Sequence, residues 1–535
     1  MKRFGAMLDM SRNAVMKIEE VKKYVKLLHS FGYNTLMLYT EDIYEVEGEP
    51  YFGYMRGRYT KGELKEVVAY CEELGIEVIP CIQTLAHLNQ IFRWQAYSGV
   101  HDCNDILLVG EERTYEFIEN MFKTAKECFH SEYIHVGMDE AHNVGLGEYL
   151  SKHGYEKRSL ILQKHLKRVV EIANKYGLKP LIWSDMFYKL ATKSWYYAPN
   201  AEVTEEIKSL VPSEVSLVYW DYYNTEKSTF DRLITSHQEF NNEIWFAGGA
   251  WTWTGFASGN GYTLKTMTPA MQSAKEHGVE NIFITLWGDN GKECSFYSVL
   301  PSLYTVKRLY DGESDMEKIK REFTALTGEN YDAFFALDLP NSVGGNTQGA
   351  AHNPCKHMLY SDPFNGFLDS TVKEGVAEEY KAHAKTLSGY VGESKYGYLF
   401  ESAAALCELM SVKYGLGART RAAYQSKDEK GLSALVEDYK RCEELLEKFY
   451  AAYRKLWYQE NKPHGFDVQD LRFGGLARRL RSCRERVESY LSGAEKNIPE
   501  LEEKLLDFYG NGENFDKEKT PAFNAWAMNA SVNVL

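Results

Sequence analysis

Eight short runs of β-branched and long aliphatic residues, each followed by a stretch with helical spacing, fill about the first 310 residues of the chain. The runs are Phe4–Asp9, Thr35–Tyr39, Ile76–Ile82, Tyr133–Val136, Pro180–Trp183, Val215–Trp220, Ile244–Ala247 and Ile282–Leu286. Amphipathic stretches such as Lys61–Leu74, Glu112–Phe129, Arg158–Tyr176 and Pro269–His277 lie between them. Gly75, Gly177 and Gly278 sit just past three of these, where a helix C-terminus takes the left-handed conformation. Eight strand–helix cycles in about 300 residues have the count and length of a (β/α)8 barrel. A doubly wound open sheet is the alternative, but no GxGxxG follows the first strand and there is no phosphate loop.

From about Gly312 the strand runs stop, and helical periodicity dominates 372–387, 398–414, 432–456 and 471–491. The expected fold is therefore α/β, a (β/α)8 TIM barrel over 1–312 followed by an all-α C-terminal domain over 313–535. The second contains a long Gly/Asn/Pro-rich connection near 339–365. At 535 residues, length alone suggests three or four domains; a barrel reduces the count to two.

Composition excludes several classes. With 44% hydrophobic and 26% charged residues the chain can bury a large core, so disorder and collagen-like folds are out. A formal charge of −14, from 62 Lys+Arg against 76 Asp+Glu, argues against a nucleic-acid partner. The nine dispersed cysteines include no CxxC and no zinc-site spacing, so no metal and no cofactor is expected. They read as reduced thiols. MKRFGAMLDM is too short in apolar residues for a signal peptide, and no run reaches a membrane span. The expected location is the cytoplasm, with no membrane partner and a monomer or homodimer as the assembly.

Barrel sites gather where strands end. The exits here read Asp9-Met10-Ser11-Arg12, Thr40-Glu41-Asp42, Gln83-Thr84-Leu85-Ala86-His87 and His135-Val136-Gly137-Met138-Asp139-Glu140. The other four read Trp183-Ser184-Asp185, Trp220-Asp221-Tyr222-Tyr223, Gly248-Gly249-Ala250-Trp251-Thr252-Trp253 and Trp287-Gly288-Asp289-Asn290. All eight deliver polar, charged or aromatic groups to one rim. Tyr, Phe and Trp make up 14% of the chain, and Trp183, Trp220, Trp251, Trp253 and Trp287 stand at exits. Pyranose C–H faces stack on such rings, so the pocket suits one sugar. The adjacent Asp139 and Glu140 fit a glycosidase pair if a bend past the last ladder bond aims both inward, because regular strand neighbours face opposite sides. A helix-opening Asp-Glu pair and a metal site of His135, Asp139, Glu140 and His142 are the alternatives.

His135-Val136-Gly137-Met138-Asp139-Glu140 resembles the His-x-Gly-Gly-Asp-Glu signature of glycoside hydrolase family 20, the β-N-acetylhexosaminidases. Asp9-Met10-Ser11-Arg12 resembles the arginine segment of that family, and Trp287-Gly288-Asp289 its last-strand Trp-x-Glu. Tyr51-Phe52-Gly53-Tyr54 and Phe246-Ala247-Gly248-Gly249-Ala250-Trp251 are similar to a bacterial exo-acting subgroup with a C-terminal helical domain. The 460–475 stretch extends the likeness into the last third. Met138 replaces the second signature glycine, and Asp289 the glutamate, which shortens or removes a sugar contact. The small α/β domain that usually precedes the family's barrel is not in this sequence.

The resemblance implies substrate-assisted removal of terminal β-GlcNAc or β-GalNAc through an oxazolinium ion. Glu140 would be general acid and then base, with a pKa raised by burial and by its neighbour. Asp139 would orient the 2-acetamido N–H, and Tyr222 or Tyr223 would grip its carbonyl, with Tyr223 favoured by the spacing after Asp221. Arg12 would hold O3 and O4. Trp220, Trp251 and Trp253 would wall the acetamido side, Trp287 would form a floor, Trp183 and Asp221 would also contact the substrate, and His87 and His135 would give supporting hydrogen bonds. Two other functions remain open on the residues: a conventional glycosidase pairing Glu140 with Asp185, Asp221 or Asp289, and a non-catalytic sugar-binding barrel.

Overall fold

The computed structural model describes residues 2–192, 196–197, 203–346, 352–508 and 526–529. Eight parallel strands form a closed barrel. They are β1 Arg3–Asp9, β2 Thr35–Tyr39, β3 Glu77–Cys81, β4 Tyr133–His135, β5 Lys179–Trp183, β6 Ser216–Trp220, β7 Ile244–Gly249 and β8 Asn281–Leu286. Each pairs with its sequence neighbours, and β1 closes on β8 from Arg3↔Asn281 to Leu8↔Leu286. The eight expected runs match these strands to within one or two residues. A short hairpin, His101–Cys103 with Ile106–Leu107, was not legible in the pattern.

Alternate residues fill the barrel interior. Met7, Met37, Ile79, Tyr133, Leu181, Val218, Trp245 and Phe283 form the packed cluster, with Tyr39, Cys81, Trp183 and Ala247 among its other members. Burying a large apolar side chain stabilises by about 1.5–3 kcal/mol, so this filling holds the strand ends in fixed register. The helices between strands start on local signals. At Lys61–Glu73, Thr60 Oγ1 accepts the Glu63 N–H at 3.1 Å while the Glu63 carboxylate accepts the Thr60 N–H at 2.8 Å. The last inter-strand helix runs Asn260–Glu276, beginning before Pro269 rather than at it. Proline usually marks a helix start, which is why the sequence placed the boundary there.

Two compact units are each gathered from three stretches of the chain. One comprises Met1–Ala250, Thr263–Trp287 and Ser302–Ile319; the other comprises Trp251–Tyr262, Gly288–Pro301 and Lys320–Leu535. In the second unit, helices Val376–Tyr390, Gly397–Lys413, Glu429–Glu460 and Phe466–Leu491 pack in succession. Of the Gly/Asn/Pro-rich connection, residues 347–351 lie outside the described residues, and Pro354–Tyr360 is helical. Glu293 is buried in this unit, 2.6 Å from Lys356 Nζ and 3.0 Å from Arg472 Nη1.

Candidate active site

The site is built at the exit of β4. This strand is only three residues long and meets β3 at the single pair Cys81↔His135, so the chain leaves the ladder early. Gly137, Met138 and Glu140 then take left-handed backbone angles, φ 73°, 69° and 53°. Gly137 permits a close approach: a Cβ there would stand 1.9 Å from Gln83 Oε1. The Gln83 amide fills that space. Its Oε1 accepts the Met138 N–H at 3.1 Å, and its Nε2 donates to Asp139 Oδ1 at 2.8 Å and to the Tyr39 hydroxyl at 2.9 Å. Met138 thus adopts the glycine-like conformation, with its amide tied to Gln83.

This bend brings both carboxylates to one side. His87 Nε2 lies 3.1 Å from Asp139 Oδ2 and 3.8 Å from Glu140 Oε2. Burial would discharge His87, but Asp139 outweighs it and raises the imidazolium to about 9. Burial would likewise raise Asp139, yet His87 and the Gln83 hydrogen bond bring it down to about 2. Between those values the two form an ion pair. Glu140 is not buried as expected; its side chain is 49% exposed. Its backbone N–H donates to Asp185 Oδ2 at 3.3 Å.

Arg12 reaches the same cluster from β1. Asp9 Oδ1 accepts the Ser11 N–H at 2.9 Å and the Ser11 hydroxyl at 2.7 Å, turning the chain so that Arg12 Nη2 comes to 3.1 Å from Glu41 Oε1. The same nitrogen is 3.3 Å from His87 Nδ1. Burial raises Glu41 to about 7, against the pull of Arg12 and His87. The Tyr39 hydroxyl donates to Glu41 at 3.0 Å, completing a polar chain from Glu41 through Tyr39 and Gln83 to Asp139. Sequence reasoning gave Gln83 and Glu41 no role. Their one signal is position at a strand exit.

The remaining expected residues fall in three places. Trp220, Tyr222 and Trp287 are near the cluster: Tyr222 stacks on Trp220 at 5.3 Å and 22°, and Trp287 packs edge-on to Tyr39 at 4.8 Å. Burial holds the Tyr222 hydroxyl well above its ordinary pKa; it interacts with the Trp287 and Thr285 side chains and feels the charge of Asp139. Tyr223, favoured by spacing, is instead 39% exposed. Asp221 explains the difference. Its carboxylate accepts the N–H groups of Tyr223 and Asn224, both at 3.1 Å, the Asn224 side-chain amide at 2.7 Å and the Tyr219 hydroxyl at 2.7 Å. That turn sends Tyr222 inward. It also commits the buried Asp221 to the turn, where a substrate contact was expected.

His135 and Trp183 lie beneath the site rather than on its wall. Both are buried, with rings 4.4 Å apart. Burial lowers His135 to about 3, so the ring is neutral, and its Nδ1 accepts the Gly137 N–H at 3.1 Å. Trp251, Trp253 and Asp289 belong to the second compact unit. There the two indoles stack at 4.1 Å and 26°, with Tyr262 edge-on to Trp251 at 4.7 Å. Among the described residues, no cluster of three or more His, Cys, Asp or Glu side chains is arranged to hold a metal.

Two sequence profiles match the chain and decide its family. The Glycosyl hydrolase family 20 catalytic domain matches residues 3–251, and the Glycoside Hydrolase 20C C-terminal domain matches 332–519. The chain belongs to glycoside hydrolase family 20. Among relatives of this family-20 chain, Homo sapiens Hexosaminidase D is 24% identical over 221 residues, covering 39% of the chain and 43% of the relative. The Sus scrofa Beta-hexosaminidase subunit beta is 26% identical over 216 residues, covering 34% and 39%. The chain therefore spans about two fifths of the length of each. The solved β-N-acetylhexosaminidase from Bacteroides fragilis is 20% identical with a TM-score of 0.46, covering 60% of this family-20 chain and 68% of the other.

Proposed function

We propose that this family-20 chain is an exo-acting, retaining β-N-acetylhexosaminidase that removes terminal β-GlcNAc or β-GalNAc with the help of the substrate's own acetamido group. The observation that carries the reading is the pairing of Asp139 and Glu140 beside one histidine, with different surroundings for each. Asp139 is ionised, gripped by His87 and Gln83 and largely buried, which suits an acceptor for the acetamido N–H. Glu140 has an exposed carboxyl on a backbone held by Asp185, which suits proton delivery to the glycosidic oxygen and later activation of water. Tyr222, inward and within the field of Asp139, is assigned to the acetamido carbonyl. Arg12, fixed by Glu41, is assigned to sugar hydroxyls. Trp220 and Trp287 supply stacking faces. The nine unpaired cysteines support a reducing compartment such as the cytoplasm.

The test compares 4-nitrophenyl β-GlcNAc and β-GalNAc with 4-nitrophenyl β-glucoside, with and without a thiazoline mimic of the oxazoline. Hydrolysis restricted to the acetamido sugars and blocked by the thiazoline is expected. Equal hydrolysis of the glucoside points to a carboxylate nucleophile, and binding without hydrolysis to a sugar-binding barrel; either result overturns the proposal.

A further inference from the structure

Asp185 is a fully buried carboxylate whose one contact named above is with the Glu140 backbone. It is the first residue of the helix Asp185–Thr192, directly after β5. Its Oδ2 accepts the Glu140 N–H at 3.3 Å and lies 3.4 Å from Lys189 Nζ, one turn along the same helix. Its Oδ1 has no hydrogen-bond partner among the described residues. Burying a carboxylate with one oxygen unmatched is costly.

What it holds is the backbone of Glu140, a non-glycine residue in left-handed conformation (φ 53°). Such a residue is strained and persists only where its surroundings impose it. A charge-assisted hydrogen bond to its amide is such a constraint. The charged groups facing Glu140 are His87 and Asp139 from the β3 and β4 exits, Asp185 from the helix after β5, and His142. The His142 N–H donates to the Glu140 carbonyl, and Arg158 donates to the His142 carbonyl. Burial raises Asp185 to about 6 against the opposing charge of Lys189, with Asp139 and Glu140 adding to the rise. Asp185 and Glu140 therefore interact electrostatically through the protein.

We propose that Asp185, buffered by Lys189, is the positioning residue of Glu140. Its carboxylate fixes the backbone turn that aims the Glu140 carboxyl. The inference rests on Glu140 acting as the general acid. Proton donation matters only when the leaving oxygen needs a proton: as C1–O breaks, the Glu140 proton passes to an alkoxide-like leaving group, whereas dinitrophenolate departs without one.

The experiment measures kcat/KM of wild type, Asp185→Asn and Asp185→Glu on 2,4-dinitrophenyl and methyl β-GlcNAc across pH. For Asp185→Asn, the methyl glycoside should lose at least about tenfold more than the dinitrophenyl glycoside. Asp185→Glu should restore part of the methyl-glycoside rate. The ratio of the two substrates is independent of how much protein is folded, so a destabilised variant still reports. Equal losses on both substrates, or no rescue by Asp185→Glu, would overturn the proposal. A wild type inert on dinitrophenyl β-GlcNAc would instead refute the hexosaminidase reading itself.

Discussion

His87 Nε2 stands 3.1 Å from Asp139 Oδ2, and the two residues reach that distance from the exits of neighbouring strands, β3 and β4. Burial penalises each charge, and each charge offsets the penalty on the other. Protonation at this contact thus governs both local stability and the state of the carboxylate assigned to the acetamido group.

The pH dependence follows from the directions. His87, raised to about 9, contributes stability fully below its ordinary value near 6.5, and the contribution fades as pH rises through 9. Asp139, lowered to about 2, contributes fully above its ordinary value near 3.9, and the contribution is lost as pH falls through 2. The stability gap between wild type and His87→Gln should therefore be widest from about pH 4 to 6.5 and narrow by pH 9–10. Urea midpoints measured across that range check this. A gap that widens above pH 9 would contradict the pairing.

Asp139→Asn should keep the fold and the melting temperature within a few degrees while lowering turnover on 4-nitrophenyl β-GlcNAc by roughly 10²–10³, the scale seen when a transition-state hydrogen-bond partner is removed. Steady-state kinetics with circular dichroism on the same samples decide it. Near-normal turnover would remove Asp139 from the mechanism.

Tyr222 and Tyr223 separate cleanly by single hydroxyl deletion. Tyr222→Phe should cost about tenfold or more in kcat/KM, and Tyr223→Phe should stay within about twofold. The reverse order would mean that the spacing after Asp221 is a better guide than the turn it forms.

Gly137→Ala should destabilise by about 2 kcal/mol or more, through a methyl group placed against the Gln83 amide and a left-handed φ. Adding Gln83→Ala removes the clash, so the double variant should be more stable than the sum of the two single changes. Thermal melts of the three variants test this, and simple additivity would argue against the contact.

The barrel was legible because its strands are covered on both faces and read as short continuous apolar runs, and eight of them recur between longer amphipathic stretches. The site was legible as far as chemistry follows chain order. Asp139, Glu140, Arg12 and His87 stand at exits and carry charge. What escaped were relations made by folding. Gln83 is a neutral amide whose part comes from the space that Gly137 leaves. Tyr222 and Tyr223 are interchangeable as letters until Asp221 takes up their loop amides. Asp221 itself looked like a ligand contact because a saturated buried carboxylate and a free one are written the same way. Trp183 has the residue type of a sugar-stacking wall but is sealed against His135 beneath the site.

The chain passes between its two compact units five times. Neither unit therefore corresponds to one uninterrupted interval of the gene, and no single cut separates them. Ending the polypeptide at residue 319 would strand Trp251–Tyr262 and Gly288–Pro301 without the remainder of their own unit, including Lys356 and Arg472, the partners of Glu293. For this protein, removing the helical part is a change to the segments that follow β7 and β8, and the two units have to be studied and altered as one chain.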